Sequence, residues 1–184
     1  MVNEADVFIS RIRREFPRFK LVYKNDSLMM KAIDVFLKVV TFGKQNRFMT
    51  NYTTTIGYKI YVASNWDSKL SEMKLIILRH ERVHLRQMRK YTPIIFSLLY
   101  LFCLPTVFAF FRKAMEQAAY EESLKARLEI YGKESLSQQY KNHVVSQFTG
   151  SSYFWTWPFK KSIESWYDNT VEKVCKELDH GSDN

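Results

Sequence analysis

The feature that most constrains this chain is a pair of histidines spaced four residues apart inside a predicted helix. The segment HERVH, from His80 to His84, lies within residues 70–91, which have helical periodicity and are followed by Pro93. Four residues along an α-helix place the second side chain about 40° round from the first and about 6 Å further on. Both imidazoles therefore face the same way and can bind one small cation. Zinc suits them because it accepts imidazole nitrogen in a tetrahedral site.

Glu81 stands next to the first histidine of the pair. Its carboxylate cannot point straight at the same ion, but it can contact a water molecule held there. A carboxylate in this position can take a proton from the water and pass it to a leaving amine. The pattern therefore predicts hydrolysis of a peptide or protein substrate, with Glu81 as the general base.

The two sides of this helix differ in character. Its inner side is predicted to carry apolar residues together with both histidines. Its other side is predicted to be a solvated stripe of four arginines spaced three or four residues apart: Arg79, Arg82, Arg86 and Arg89. An imidazole pair at the end of an apolar face is costly unless it is hydrogen-bonded or bound to metal. This arrangement favours a metal site over two structural histidines.

A catalytic zinc site needs a third protein ligand and keeps one position open for water. The residues downstream offer four candidates for that ligand: Glu116, Glu121, Glu122 and His143. Ala118 and Ala119 allow a second helix to approach the first closely. Spacing alone leaves the choice among the four open.

Two segments together resemble gluzincin-type zinc metallopeptidases. They are RHERVHLRQ at 79–87 and FRKAMEQAAYEES at 111–123. The chain is most similar to small bacterial and phage-encoded members, which have an HExxHxxQ helix followed by an ExxA helix. The resemblance covers residues 48–125, and it implies that Glu116 is the third zinc ligand and Ala119 the small residue of ExxA.

The resemblance also implies residues near the ligands that orient an imidazole or stabilise the oxyanion. Larger gluzincins often carry an aspartate one turn after the glutamate ligand, where it orients the first histidine. Tyr120 stands at that position here, so either its hydroxyl or Glu121 is expected to orient an imidazole. An electrophile that stabilises the oxyanion is usual in such enzymes, and the candidates are Tyr120, His143 and Tyr153.

The fold class predicted is α+β: a mainly helical, zincin-like domain with a small antiparallel sheet before the metal-binding helix. A chain of 184 residues favours a single domain over 1–184. The metal-binding core is expected at about 48–131, with mostly helical extensions at 1–47 and 132–184.

The remaining elements follow from local patterns. The Thr-, Ile- and Tyr-rich segment from Phe48 to Ser64 predicts two strands that meet near Gly57. KLVYK at 20–24 predicts a short strand. Helices are predicted at 4–16, from an Asp26 or Ser27 cap to Val40, at 112–131 before Gly132, at 134–148 and at 161–179. The expected apolar stripe of the second helix consists of Leu28, Met29, Ala32, Ile33, Phe36, Leu37 and Val40.

Two apolar segments lie outside these patterns. The stretch 94–111 is predicted to be a buried helical element bent at Pro105, or a hairpin that docks on an interface or partner. It is not predicted to span a membrane, because Pro105 interrupts the run after eleven residues and a span needs about 20. The aromatic loop at 150–158 is expected to cap the core, line a substrate cleft or dock on an assembly partner.

Charge and composition leave competing functions open. The net charge of +9 is compatible with nucleic-acid binding, although no recognition motif accompanies it. Two cysteines and an N-terminus without a signal sequence favour a cytoplasmic protein, or one built into a larger particle such as a virion. The alternatives to a metallopeptidase are a non-catalytic zincin-fold binding or structural protein, such as a phage or host assembly component, and a DNA-associated protease.

Overall fold

The structure is a computed structural model that describes residues 3–92, 107–150, 157 and 159–181. The chain forms two compact units, Met1–Ser97 and Leu98–Asn184, which are described in turn. The described elements are mainly helical and are accompanied by one small sheet, so the predicted α+β, mainly helical class is confirmed. The single zincin-like domain stays a prediction.

The first unit begins with helix α1, Glu4–Glu15. Asn3 caps it by accepting a hydrogen bond from the backbone N–H of Ala5. Phe8 and Ile12 are buried, whereas Val7 is exposed. The predicted helix over 4–16 is confirmed.

The sheet of the first unit has three strands in the order β1–β3–β2: β1 is Lys20–Tyr23, β2 is Thr54–Ile56 and β3 is Lys59–Val62. Strands β2 and β3 pair antiparallel across the two-residue turn Gly57–Tyr58, where both residues have positive φ. Strand β1 pairs parallel with β3. The sheet is therefore mixed and not antiparallel throughout, because the long connection between β1 and β3 permits a parallel crossover.

The segment predicted as continuous β structure begins differently. Residues Phe48–Asn51 form a short helix, α3, so the strand prediction was wrong for these four residues. The buried amine of Lys24 donates a hydrogen bond to the carbonyl of Phe48 at 2.8 Å and lies 3.4 Å from the centre of the Phe48 ring. This long-range contact outweighs the local β propensity.

Helix α2, Leu28–Val40, is capped by Ser27 as predicted. Its expected apolar stripe is correct in part. Leu37 is buried, but Leu28 and Phe36 are exposed.

Helix α4, Ser71–Tyr91, packs against α1. The arginine stripe was predicted to be solvated. This is confirmed for Arg86 and Arg89, which are exposed, and wrong for Arg79 and Arg82, which are half-buried. Arg82 and Arg86 both donate to the Glu15 carboxylate, at 2.6 and 2.9 Å, and the guanidinium of Arg82 lies over the ring of Phe8. Burial is the largest single influence on the pKa of Glu15 and raises it, but the two guanidinium groups together outweigh burial and hold that pKa below its usual value.

The second unit consists of helices α5, Val107–Tyr131, α6, Gln138–Thr149, and α7, Lys160–Gly181, with a 3₁₀ helix at Lys133–Leu136. Helix α5 begins earlier than the predicted residue 112. It ends before Gly132, whose φ of 73° is the left-handed conformation that glycine favours. The core cluster of this unit contains Leu124, Val144, Val145, Phe148, Ile163 and Tyr167.

Two predicted segments lie mostly outside the described residues. The bend at Pro105 falls there, as does most of the aromatic loop, including Tyr153. The described end of the 94–111 stretch is the start of α5, where Phe110 and Phe111 are exposed. In the described parts of the chain, no helix has both the length and the apolar character needed to cross a membrane.

Candidate metal centre

Helix α4 brings the two histidines of the HERVH segment together. The Nε2 atoms of His80 and His84 lie 3.3 Å apart, and the rings meet edge-on with their centroids 5.0 Å apart. His84 is buried and His80 is half-buried. The helical spacing therefore produces two imidazole nitrogens that converge on one point.

Gln87 orients the second imidazole. Its side-chain oxygen lies 2.9 Å from His84 Nδ1, so with the proton on Nδ1 the ring donates to Gln87 and presents the lone pair of Nε2 to the shared point. Sequence reasoning gave Gln87 no role. The spacing could have predicted this contact, because Gln87 stands three residues after His84 on the same face of the helix.

Glu81 points toward the sheet. Its side chain is buried, with 5% of the residue exposed, and one carboxylate oxygen accepts a hydrogen bond of 2.6 Å from the hydroxyl of Thr55. Thr55 lies in β2, which is the outer strand of the sheet next to β3. No local pattern singles out Thr55, because the contact joins residues far apart in the chain.

A buried lysine interacts electrostatically with Glu81. Lys24 is fully buried, and this burial lowers the pKa of its amine to about 7. The carboxylates of Glu81 and Asp34 act on that pKa in the opposite direction. Glu81 thus lies in the field of a buried amine, a feature that sequence reasoning missed.

Helix α5 supplies the carboxylate. Glu116 is almost fully buried, and Ala119, one turn further on, is completely buried. His80, His84 and Glu116 each offer one ligand atom, and these three atoms all lie within 4.8 Å of one another. This His-His-Glu group could hold a metal ion. Within the described ranges, no other group of three or more histidine, cysteine, aspartate or glutamate side chains meets this criterion.

The other candidate ligands are not members of this group. Glu121 accepts an ion-pair hydrogen bond from Lys173 at 2.6 Å. His143 stacks on Tyr140 with ring centroids 6.2 Å apart. Burial lowers the pKa of His143, and the positive charge of Arg127 adds to this effect.

The proposed electrophiles have no established role. The ring of Tyr120 packs against Phe148, with centroids 5.4 Å apart, at the edge of the core cluster of the second unit. Tyr153 lies outside the described residues. The functions predicted for Tyr120, His143 and Tyr153 in orientation or oxyanion stabilisation stay predictions.

Comparison of the chain with protein-family models, with curated proteins and with solved structures finds no match. The resemblance to gluzincins therefore rests on the motif residues themselves. Whatever the family, two imidazoles and a carboxylate have their ligand atoms close together, as a metal site requires.

Proposed function

We propose that this protein is a zinc-dependent metallopeptidase, with His80, His84 and Glu116 as zinc ligands and Glu81 as the general base. The proposal depends most on one observation, the convergence of two imidazole nitrogens and a carboxylate oxygen within 4.8 Å. It is independent of the net charge and of the apolar segments.

The spacing of the nitrogens supports zinc in particular. Zinc–imidazole bonds of about 2.0–2.1 Å at a tetrahedral angle put the two nitrogens about 3.3–3.4 Å apart. The separation of His80 Nε2 from His84 Nε2 is 3.3 Å. Two imidazoles and one carboxylate also form a known catalytic ligand set, which leaves a fourth position open.

Glu81 performs the proton transfers in this proposal. Zinc, when bound, acidifies a water molecule at the open position and polarises the carbonyl of the scissile peptide. Glu81 accepts the proton of the attacking water and then delivers it to the leaving amine. The hydrogen bond from Thr55 holds one carboxylate oxygen of Glu81, which fixes the direction in which the other can act.

The position of β2 supports a peptide as the substrate. This strand pairs with β3 along one side and carries Thr55, the hydrogen-bond partner of the general base. An extended peptide can add to such a strand through backbone hydrogen bonds, and side-chain pockets then give specificity. Strand addition would hold a scissile bond beside Glu81.

The test is hydrolysis of a broad peptide library by the zinc-loaded protein and by Glu81→Gln. We expect the variant to keep its zinc and to lose about 10²–10⁴-fold in rate, because general base catalysis contributes about that much. Glu72→Gln is the matched control, since Glu72 lies on the same helix two turns before His80. Its rate should equal that of the wild type.

The result can also favour a competing function. Zinc bound in full with no hydrolysis of any peptide by the wild type would contradict the peptidase and leave a zincin-like binding or structural protein. Hydrolysis that persists in Glu81→Gln would contradict the role of Glu81. Hydrolysis that occurs only with DNA present would indicate a DNA-associated protease.

A further inference from the structure

Helix α2 exposes an apolar face that no described element covers. Leu28, Val35, Phe36 and Val39 are each more than 60% exposed, and Phe42, in the turn that follows, is 95% exposed. On a helix, positions 28, 32, 35, 36 and 39 lie on one side, and Ala32 is exposed as well. A contiguous apolar face of this kind marks an interaction site, whereas single exposed apolar residues do not.

The opposite face of α2 already packs against the first unit. Met30 is fully buried there, and Leu37 is buried beside it. Asp34 is buried on the same side and pairs with Lys38 at 2.6 Å. The helix therefore cannot bury its exposed face by rotating, because rotation would expose these buried groups.

Basic residues border the exposed face. Lys31 and Lys38 are exposed, and since they lie seven residues apart they occupy the same edge of the helix. Lys44 and Arg47 are exposed in the segment that follows the helix. Over the same stretch, from Asp26 to Arg47, Asp26 is the one exposed acidic residue.

We propose that α2 and the turn at Phe42 dock on an anionic lipid surface. A helix of 13 residues is too short to span a bilayer, but it can lie in the interface with its apolar face at the boundary between headgroups and acyl chains. Lysines at the edge of such a face keep their stems on the apolar surface. Lys31 can reach anionic headgroups there, as can Lys44 and Arg47 beyond the helix, whereas Lys38 is already paired with Asp34. The net charge of +9 adds long-range attraction to the same surface.

The experiment is co-sedimentation of the full-length protein with two kinds of vesicle. One contains phosphatidylcholine alone, and the other contains phosphatidylcholine and phosphatidylglycerol in equal parts. We expect binding to the anionic vesicles, weaker binding to the neutral ones, and a loss of binding as salt is raised, because salt screens exposed charges. No binding to anionic vesicles by the wild type would overturn the proposal.

Two variants with the same change in charge distinguish vesicle binding through the exposed face of α2 from binding through the net charge of the protein. Val39 and Leu70 are each 68% exposed, and each can be replaced by aspartate. We expect Val39→Asp to lower the partition coefficient at least about tenfold, because it removes an inserted side chain and puts a negative charge at the lipid surface. Leu70→Asp should bind like the wild type.

Thermal unfolding of both variants checks that they fold, and neither substitution touches the buried face of α2. An equal loss of vesicle binding in Val39→Asp and Leu70→Asp would overturn the proposal in favour of a net-charge effect. Reversible self-association of the wild type that Val39→Asp abolishes would also overturn it, because a second copy of the chain would then cover this face.

Discussion

Helices α2 and α4 belong to the same unit and are both amphipathic, yet they differ in how much of their apolar surface is buried. In α4 the side chains of Leu78, Leu85 and Met88 are fully buried. In α2 much of the apolar surface is exposed while Asp34 is buried. The periodicity of a sequence thus identifies a helix and its faces, but the neighbouring elements decide which face is covered.

The neighbours of the two helices explain the difference. Helix α4 contacts α1 on one side and β2 on another. Helix α2 contacts α3 and the 3₁₀ helix at Lys24–Asp26. Helix α4 also buries polar groups, and their hydrogen bonds come from Thr55 on β2, which donates to Glu81, and from Gln87 on α4 itself, which partners His84.

The largest effect should come from deleting a ligand on α4. We expect His84→Ala to lower zinc affinity more than the about 10–100-fold typical of losing an outer partner, because a direct bond is lost. Competition with a zinc-binding dye measures this. His143→Ala is the control, since His143 lies outside the His-His-Glu group, and an equal loss in both variants would contradict the ligand assignment.

The next prediction compares one substitution on both helices. Leu85 on α4 is fully buried, so Leu85→Ala should lower the free energy of unfolding by about 2–5 kcal/mol. Leu28 on α2 is 83% exposed, so Leu28→Ala should change it by less than about 0.5 kcal/mol. Urea denaturation measures both. A large loss in Leu28→Ala would show that the exposed face is covered in solution.

A smaller effect should follow from removing the partner of His84. Gln87→Leu keeps both imidazoles but takes away the acceptor at Nδ1, so zinc affinity should fall about 10–100-fold. Gln87→Glu retains an acceptor and should recover most of that affinity. Equal losses in the two variants would mean that Gln87 acts through packing and not through this hydrogen bond.

The most gradual effect concerns Lys24, whose amine interacts electrostatically with Glu81. Burial lowers the pKa of its amine from the ordinary 10.5 to about 7 in the folded protein. Between these values the unfolded chain keeps a proton that the folded protein releases, so the free energy of unfolding should rise with pH, by at most about 1.4 kcal/mol per pH unit. Urea denaturation across this range should show the rise in the wild type. Lys24→Met should show a smaller rise, because Lys113, whose pKa burial also lowers, still contributes. The same slope in both proteins would contradict the assignment.

Local signals predicted much of the fold. The cap at Ser27, the turn at Gly57 and the stop at Gly132 are each set by a few adjacent residues, and the structure has all three. The convergence of His80 and His84 is also a local feature that the sequence predicts, because helical spacing alone produces it.

The features that sequence reasoning missed depend on long-range contacts. Strand β1 pairs parallel with β3, and the helix at Phe48–Asn51 is held by Lys24. The face of α2 is exposed because no described element packs on it. Thr55 reaches Glu81 across 26 positions of the sequence. No window of neighbouring residues contains that information.

We propose above all that His80, His84 and Glu116 hold one zinc ion. Diffraction from zinc-loaded crystals, with data collected on both sides of the zinc absorption edge, is the decisive measurement. We expect one anomalous peak per chain, bonded to Nε2 of both histidines and to a carboxylate oxygen of Glu116 at about 2.0–2.2 Å. A peak bonded to other residues, or no peak between these three side chains, would contradict it.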